Sequence, residues 1–490
     1  MHDAARMKHL ATTLLALTLL AAPSTAAARA PTVSVASASA SAEFFGTVVI
    51  GGANIAQLRS VQFTVAAKPG ATAKPITATY SAAYLSSIAA LNAGAHTVSV
   101  PIYGMYPGYS NSISILYRET GGTARLAATI ATDAWGWTFN AADRIDVVSR
   151  DPSVPLDFGY MLVKNLTGAG PMILDTDGNV RWSVPGGYAQ GSMLWGNHLY
   201  YAAGTSLYRM SLDGRSTWLA DYSGIGVTGF HHNFDLGKRG MLIEVDTTSH
   251  VESTILEVDK NGTVLETFDI SAIVRSAMTS DDLATVNATW IRDGEDWLHN
   301  NAATYWKKYD TLVVSAREDF VIGIGFADKK VKWILGDTNK GWYQSFSSLR
   351  KYALTLAPGG LPPIGEHAVS IVKDQLLLFD NGEWSYNQCC ISGGIDRSYS
   401  SPRMYAINPK KLTATETWNY EHGQAVNSTI CSSVYADGSS KLIDYAHAVG
   451  GSRYIGLGKN DAVAFEWVFP GYQCWHGWNA IPVHPENLSY

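Results

Sequence analysis

Phe326-Ala-Asp-Lys-Lys-Val-Lys-Trp333 reads as a tight polar turn followed by a short strand that ends on an aromatic. The same pattern returns at Asp175-Thr-Asp-Gly-Asn-Val-Arg-Trp182, Leu212-Asp-Gly-Arg-Ser-Thr-Trp218 and Val258-Asp-Lys-Asn-Gly-Thr-Val-Leu-Glu-Thr-Phe268. It returns again at Ile407-Asn-Pro-Lys-Lys-Leu-Thr-Ala-Thr-Glu-Thr-Trp418 and Lys459-Asn-Asp-Ala-Val-Ala-Phe-Glu-Trp467. Asp, Asn and Gly supply the side-chain bonds and positive φ that a hairpin turn needs. The aromatics follow one another at intervals of 36, 50, 65, 85 and 49 residues. The shortest interval approaches one four-stranded blade, and the longer ones carry insertions. Six such hairpins predict a six-bladed β-propeller over residues 151–490.

Upstream of the repeat the patterning differs. Residues 31–142 alternate apolar and polar residues, as in Val61-Gln62-Phe63-Thr64-Val65 and Ser112-Ile113-Ser114-Ile115-Leu116-Tyr117, between Gly, Pro and Asn turns. Short alternating runs at this spacing predict a small β-sandwich. The fold class is therefore all-β, a sandwich followed by a propeller. Helix is expected only at 270–283 and 342–356, where long loops would cross the propeller mouth.

Residues 1–30 read as a secretory signal: Arg6 and Lys8, an apolar run from Leu10 to Ala22, then small residues with A-x-A spacings ending at Ala28 and Ala30. The run is too short to span a bilayer comfortably, so export without a retained membrane anchor is expected. The four cysteines (Cys389, Cys390, Cys431, Cys474) all lie in the last quarter. An even count in an exported chain predicts at least one disulfide, placed at the Cys389-Cys390 loop. Sequons at Asn165, Asn261, Asn287, Asn427 and Asn487 predict surface positions in a glycosylating host. A net charge of −6 with no basic run leaves no footprint for nucleic acid or an anionic membrane.

Three histidines are almost evenly spaced. His232, His299 and His367 stand 67 and 68 residues apart. HNFDLGKRGML from His232 aligns without gaps with HAVSIVKDQLL from His367. The segment after His299 runs into Leu312-Val313-Val314-Ser315-Ala316-Arg317. One position reused in a closed ring faces the axis, so these imidazoles and Arg317 converge there. His422, His447, His476 and His484 lack the pattern and are read as structural, with His447 expected to begin the last blade's innermost strand.

Two chemistries suit such a pocket. Three neutral imidazoles can hold zinc or a similar ion. Alternatively one histidine attacks an anionic electrophile, another moves a proton, and the third joins Arg317 in holding anionic oxygens. The arginine favours the second, because its fork fits an oxyanion and its charge repels a metal. A propeller that only binds is the third reading.

The order His231-His232-Asn233, then Asp296-Trp297-Leu298-His299-Asn300-Asn301, then Ser315-Ala316-Arg317, then His367 and Phe379-Asp380-Asn381-Gly382 resembles the bacterial arylsulfate sulfotransferases. The resemblance implies an exported six-bladed propeller that moves a sulfuryl group from a phenolic sulfate ester to a phenol, with no nucleotide donor, cofactor or metal. It admits a homodimer. It implies that His367 becomes transiently sulfated, with His299, Arg317 and His232 as the other catalytic groups and Asn301 as a substrate-binding group. His232 is preferred over His231 because it aligns with His367. The neighbours depart from the family: Glu366 stands where Gln is usual, and Glu318-Asp319 where His-Gln is usual. A carboxylate at 366 is expected to raise the pKa of His367 and, if it pointed inward, to repel a sulfate.

Overall fold

All six turn-and-aromatic segments form outer hairpins, one per blade. In the computed structural model the aromatics sit on Val180–Ser183, Ser216–Asp221, Val264–Asp269, Val331–Leu335, Thr413–Asn419 and Val463–Pro470, each the fourth strand of an antiparallel sheet. The structure describes residues 31–135, 145–165, 170–184, 191–292, 294–384, 396–471, 474–475 and 477–490. In every blade the pairing of the third and fourth strands slips at a β-bulge. A bulge increases local twist, which a radial blade needs. In two blades the aromatic also bonds to the neighbouring blade. Trp182 Nε1 donates to Leu212 O at 2.8 Å, and Trp418 Nε1 to Asp461 Oδ2 at 2.7 Å, each acceptor lying in the next blade's hairpin turn.

The first strands of successive blades touch one another around the axis: Ser192–Trp195, Val227–Leu236, Asn300–Trp306, His367–Val372 and Ser433–Asp437. The C-terminal Asn479–Val483 completes the circle by pairing with Tyr160–Lys164 of the first blade. A second closure joins Asp146–Arg150 to Val463–Pro470 of the last blade. Near the axis a buried polar network crosses between blades. Lys164 Nζ donates to Asn233 Oδ1, Asn233 Nδ2 to Tyr435 OH at 3.1 Å, and Asn479 Nδ2 to Tyr435 OH at 3.2 Å.

Ahead of the ring lies the sandwich. Phe45–Gly51 pairs with Ser34–Ala40 and Thr97–Tyr103, facing a second sheet built on Leu58–Val65, Ile76–Ser81, Ser110–Glu119 and Gly122–Ala131. Its core holds Val48, Val61, Phe63, Tyr80, Val100 and Ile115. The chain's last strand, Asn487–Ser489, leaves the propeller and pairs in parallel with Ile76–Ser81. The C-terminus thus binds the two units together.

Several expectations are corrected. The first helical segment is two helices, Ile270–Ser276 and Ser280–Thr289, because Thr279 caps a fresh start by accepting from Asp282 N. The second is one short turn, Gly341–Gln344, and a 3-10 stretch, Ser347–Tyr352. His447 follows the second strand of the last blade, Ser440–Tyr445, and does not begin its innermost one. The expected disulfide is present among the described residues as Cys431–Cys474; Cys389, Cys390 and residues 1–30 lie outside the described residues. Asn261, Asn287, Asn427 and Asn487 are exposed, whereas Asn165 is buried. Among the described residues no helix is long and apolar enough to cross a membrane.

Burial separates two of the repeat aromatics: Trp333 is fully buried, whereas Trp218 is 57% exposed. Trp333→Ala is expected to cost about 3–5 kcal/mol in urea unfolding, and Trp218→Ala less than about 0.5 kcal/mol. Equal shifts in the two midpoints would contradict this account of the repeat.

Candidate active site

The inner strands of the third, fourth and fifth blades are irregular near their starts. Their pairing slips between Phe230 and Phe234, between Asn300 and Ala302, and between His367 and Ser370. His232 and His299 adopt left-handed φ values of 47° and 53°, and Ala368 one of 54°. A residue with a Cβ in that region stores strain of about 1–3 kcal/mol, which persists only where the surroundings fix it. Here the irregularities aim side chains. The sequence alignment is also the structural one, since Leu236↔Met241 and Ile371↔Leu376 are equivalent pairs.

The rings converge. His232 lies 4.7 Å from His299 between centroids and 4.9 Å from Trp478, and Trp478 lies 6.1 Å from His367. Arg317 leaves the strand Thr311–Ala316, is 3% exposed, and donates its backbone N–H to His299 O at 3.2 Å. Its Nη1 pairs with Glu318. Asn301 and Ser315 both donate to Glu366 O, at 2.8 and 2.9 Å, and so fix the peptide that carries His367. Thus His232, His299, Arg317 and His367 come together. Asn301 enters through the backbone beside His367.

The hydrogen bonds assign the tautomer of His367. Asn381 Nδ2 donates to Ser428 O at 2.6 Å and to Cys431 O at 3.1 Å, which turns its Oδ1 toward His367 Nδ1 at 2.7 Å. Nδ1 therefore carries the proton and Nε2 a lone pair. Burial, with help from Arg317, pushes the His367 pKa down to about 3. Burial also places His232 far below the usual range, reinforced by His299 and His231. His299 differs. Burial alone would lower it, but Asp296 Oδ2 at 2.6 Å and Glu252 Oε2 at 2.7 Å from its Nδ1 raise it to about 10. At neutral pH the pocket thus holds two neutral imidazoles, one imidazolium and one guanidinium.

Glu366 does not act as the sequence led us to expect. Its side chain is buried and its pKa is raised by burial to about 8, against the pull of Lys340. It is therefore mostly neutral at pH 7, and the His367 pKa falls rather than rises. Lys340 is itself buried and donates to Glu318 O at 3.0 Å.

Four participants escaped the sequence reading. Asp296 and Asn381 stood inside quoted motifs with no role assigned. Trp478 comes from the segment that closes the ring, and no repeat signal marks it. Glu252 lies on a loop between blade strands, equally unmarked. For metal binding, two sets fit: His231, His232 and Glu252, and Glu252, Asp296 and His299, with the ligand atoms of each set within 4.8 Å of one another. A metal in the second set would have to displace the proton that two carboxylates hold on His299. Cavities of about 230 Å³ at the sandwich–propeller junction and about 520 Å³ beside Tyr343 and Arg350 lie elsewhere and contain none of these histidines. We place the chemistry at the histidines, because no such group of titratable side chains lines either cavity.

Comparisons with known proteins agree with the motifs. The family model described as Arylsulfotransferase (ASST) matches residues 142–457, and that of the arylsulfotransferase Ig-like domain matches residues 47–134. An Escherichia coli O6:H1 protein named Arylsulfate sulfotransferase AssT is 28% identical over 240 residues, covering 44% of this chain and 38% of that protein's length. A Lelliottia amnigena protein of the same name is 22% identical over 435 residues, covering 66% of this chain and 70% of that protein. Among solved structures, the Cps50 (Swd1) β-propeller domain of Myceliophteria thermophila is 9% identical with a TM-score of 0.31, over 66% of this chain and 99% of that one. BamB from Moraxella catarrhalis is 12% identical with a TM-score of 0.29, over 73% and 94%.

Titration of the imidazoles by NMR tests the electrostatics. His367 should stay neutral down to about pH 3 and His299 stay protonated up to about pH 10. In an Asp296→Asn, Glu252→Gln double variant only burial remains, so His299 should titrate below about 6.5. A His299 that titrates near neutrality in the unmodified protein would contradict the assignment.

Proposed function

The chain belongs to the arylsulfotransferase family, and on that premise we propose that it transfers a sulfuryl group from a phenolic sulfate ester to a phenol through a sulfohistidine at His367. The observation that carries this reading is the commitment of His367 Nδ1 to Asn381, which leaves a bare Nε2 beside two cations. In the first half-reaction Nε2 attacks sulfur in line and the S–O bond to the phenolate breaks. The His299 imidazolium and Arg317 hold the sulfuryl oxygens where charge builds up. The N-sulfo group so formed is reactive because it leaves neutral imidazole behind.

In the second half-reaction a phenol replaces the first product. His232, neutral and buried, takes its proton, and the phenolate oxygen attacks sulfur and releases His367. His299 is unsuited to that task, because its carboxylates keep it protonated. Asn301 and Ser315 hold the attacking histidine's backbone, so their role is positioning. Trp478 forms an apolar wall that keeps water from the intermediate.

Residues 1–30 fit an export signal, the Cys431–Cys474 bond fits an oxidising compartment, and 31–142 and 151–490 are taken as sandwich and catalytic propeller. Donor and acceptor phenols are the partners this chemistry requires.

Incubation with p-nitrophenyl sulfate and no acceptor should give a burst of phenol and a peptide carrying one SO₃ on His367. His367→Ala should abolish burst and turnover. Arg317→Ala should lower kcat by about 10²–10³-fold with a smaller change in KM, because its oxygens gain charge in the transition state. EDTA should not lower turnover. Near-normal transfer by His367→Ala would overturn the reading, and activity lost to EDTA and restored by zinc would make the protein a metal-dependent hydrolase or lyase.

A further inference from the structure

The mechanism above uses the Nε2 side of the imidazoles. Their Nδ1 side forms a constellation of its own. His231 Nδ1 and His232 Nδ1 face each other at 2.9 Å, a distance at which two ring nitrogens share one proton or one ion. Glu252 Oε2 lies 3.7 Å from His232 Nδ1 and 2.7 Å from His299 Nδ1. Asp296 Oδ2 lies 2.6 Å from the same His299 Nδ1, so the proton there is held between two carboxylates. The ligand atoms of His231, His232 and Glu252 all lie within 4.8 Å of one another, the compass of a single metal ion's shell.

Glu252 is also held firmly in this place. Its φ is left-handed at 43°, its N–H donates to Asp246 Oδ1 at 2.8 Å, and its carbonyl accepts from Asn300 N at 3.0 Å. The surrounding charge favours a cation. His231 has Asp246 at 3.7 Å, in addition to nearby Glu252. The positive charge of Arg317 is paired with Glu318. A tetrahedral zinc shell with bonds of about 2.0–2.1 Å has ligand edges of roughly 3.3 Å, close to the spacings present. Imidazole with carboxylate selects zinc and its first-row neighbours over magnesium or calcium.

We propose that His231, His232 and Glu252 form a Zn²⁺-type binding site, and that its occupation halts the enzyme after His367 has been sulfated. The kinetic part rests on the sulfotransferase reading. With Nδ1 of His232 on the ion, the single proton of that neutral imidazole must sit on Nε2. His232 then cannot take a proton from the acceptor phenol. The first half-reaction needs no such base. His367 keeps its Nδ1–H on Asn381 and its Nε2 lone pair, and His299 keeps the Nδ1 proton that Asp296 holds.

Equilibrium dialysis of the full chain against ZnCl₂, with MgCl₂ as control, followed by elemental analysis tests the site without reference to activity. One zinc and no magnesium per chain is expected, and His231→Ala and Glu252→Gln should each weaken zinc binding by about 10–100-fold. Glu252→Gln keeps the side chain's volume, so it carries the comparison if His231→Ala fails to fold. With p-nitrophenyl sulfate, zinc should leave the phenol burst and the SO₃ on His367 intact, slow transfer to a phenol by tenfold or more, and be reversed by EDTA. No retained zinc, zinc binding unchanged in both variants, or a burst blocked as strongly as transfer would overturn the proposal. If zinc-free protein never acquires SO₃ on His367, the sulfotransferase reading and the kinetic half fall together, and the dialysis result still decides the metal site.

Discussion

The ladder between Asn479–Val483 and Tyr160–Lys164 is the constraint on which the rest depends. Without it the first blade lacks its inner strand and presents an open edge, and the ring has no reason to stay round. The same segment brings Trp478 against His232 and His367, so the circle and the pocket are completed together. Closing a loop of some three hundred residues costs only logarithmically more than closing a short one. A second ladder, from Asp146–Arg150 to Val463–Pro470, further offsets that cost. The Cys431–Cys474 bond holds the approach to the closing strand, and Cys431 O also receives a hydrogen bond from Asn381. Ring closure and the orientation of His367 are therefore linked through one short stretch of backbone.

The pocket gives one residue type different charge states by changing its partner. An amide oxygen holds His367 in one neutral tautomer. Two carboxylates make His299 a cation despite its burial. Burial, with His299 and His231 beside it, leaves His232 neutral. Burial alone would make all three neutral, so Asp296 and Glu252 decide the pocket's polarity. Behind the site, Glu318, Asp319 and Glu366 lie with Arg317 and Lys340, and Trp290 Nε1 donates to Asp319 Oδ2 at 3.0 Å. Such a buried cluster is stable only while its members are matched. That accounts for Glu366: an acid that would be hostile to a sulfate in isolation is tolerated here because burial keeps it largely protonated next to a buried ammonium.

Much of this could be read from the chain. The six hairpins were legible because a turn needs particular residues and a strand repeats every second one, both of which are local rules. The histidine spacing was legible because the blades are copies, and the register of the third blade's inner hairpin recurs in the fifth. The helical segments were only half legible, since Thr279 restarts a helix where periodicity alone reads straight through. That a disulfide forms was legible from an even cysteine count in an exported chain, whereas the partner of Cys431 was not, because sequence says nothing about which distant cysteine lies opposite it.

By itself, then, the sequence determined the all-β class, the number of blades and the identity of the histidines and arginine that meet at the axis. The tertiary structure alone decided which nitrogen of His367 is free, which histidine is charged, and which ring stands against His232 and His367. Those properties belong to contacts between residues far apart in the chain: Asn381 with Ser428 and Cys431, Glu252 with His299, and Trp478 with His232. No local pattern encodes such contacts, because a proton's position is fixed by what the ring faces across the axis and not by what precedes it in sequence.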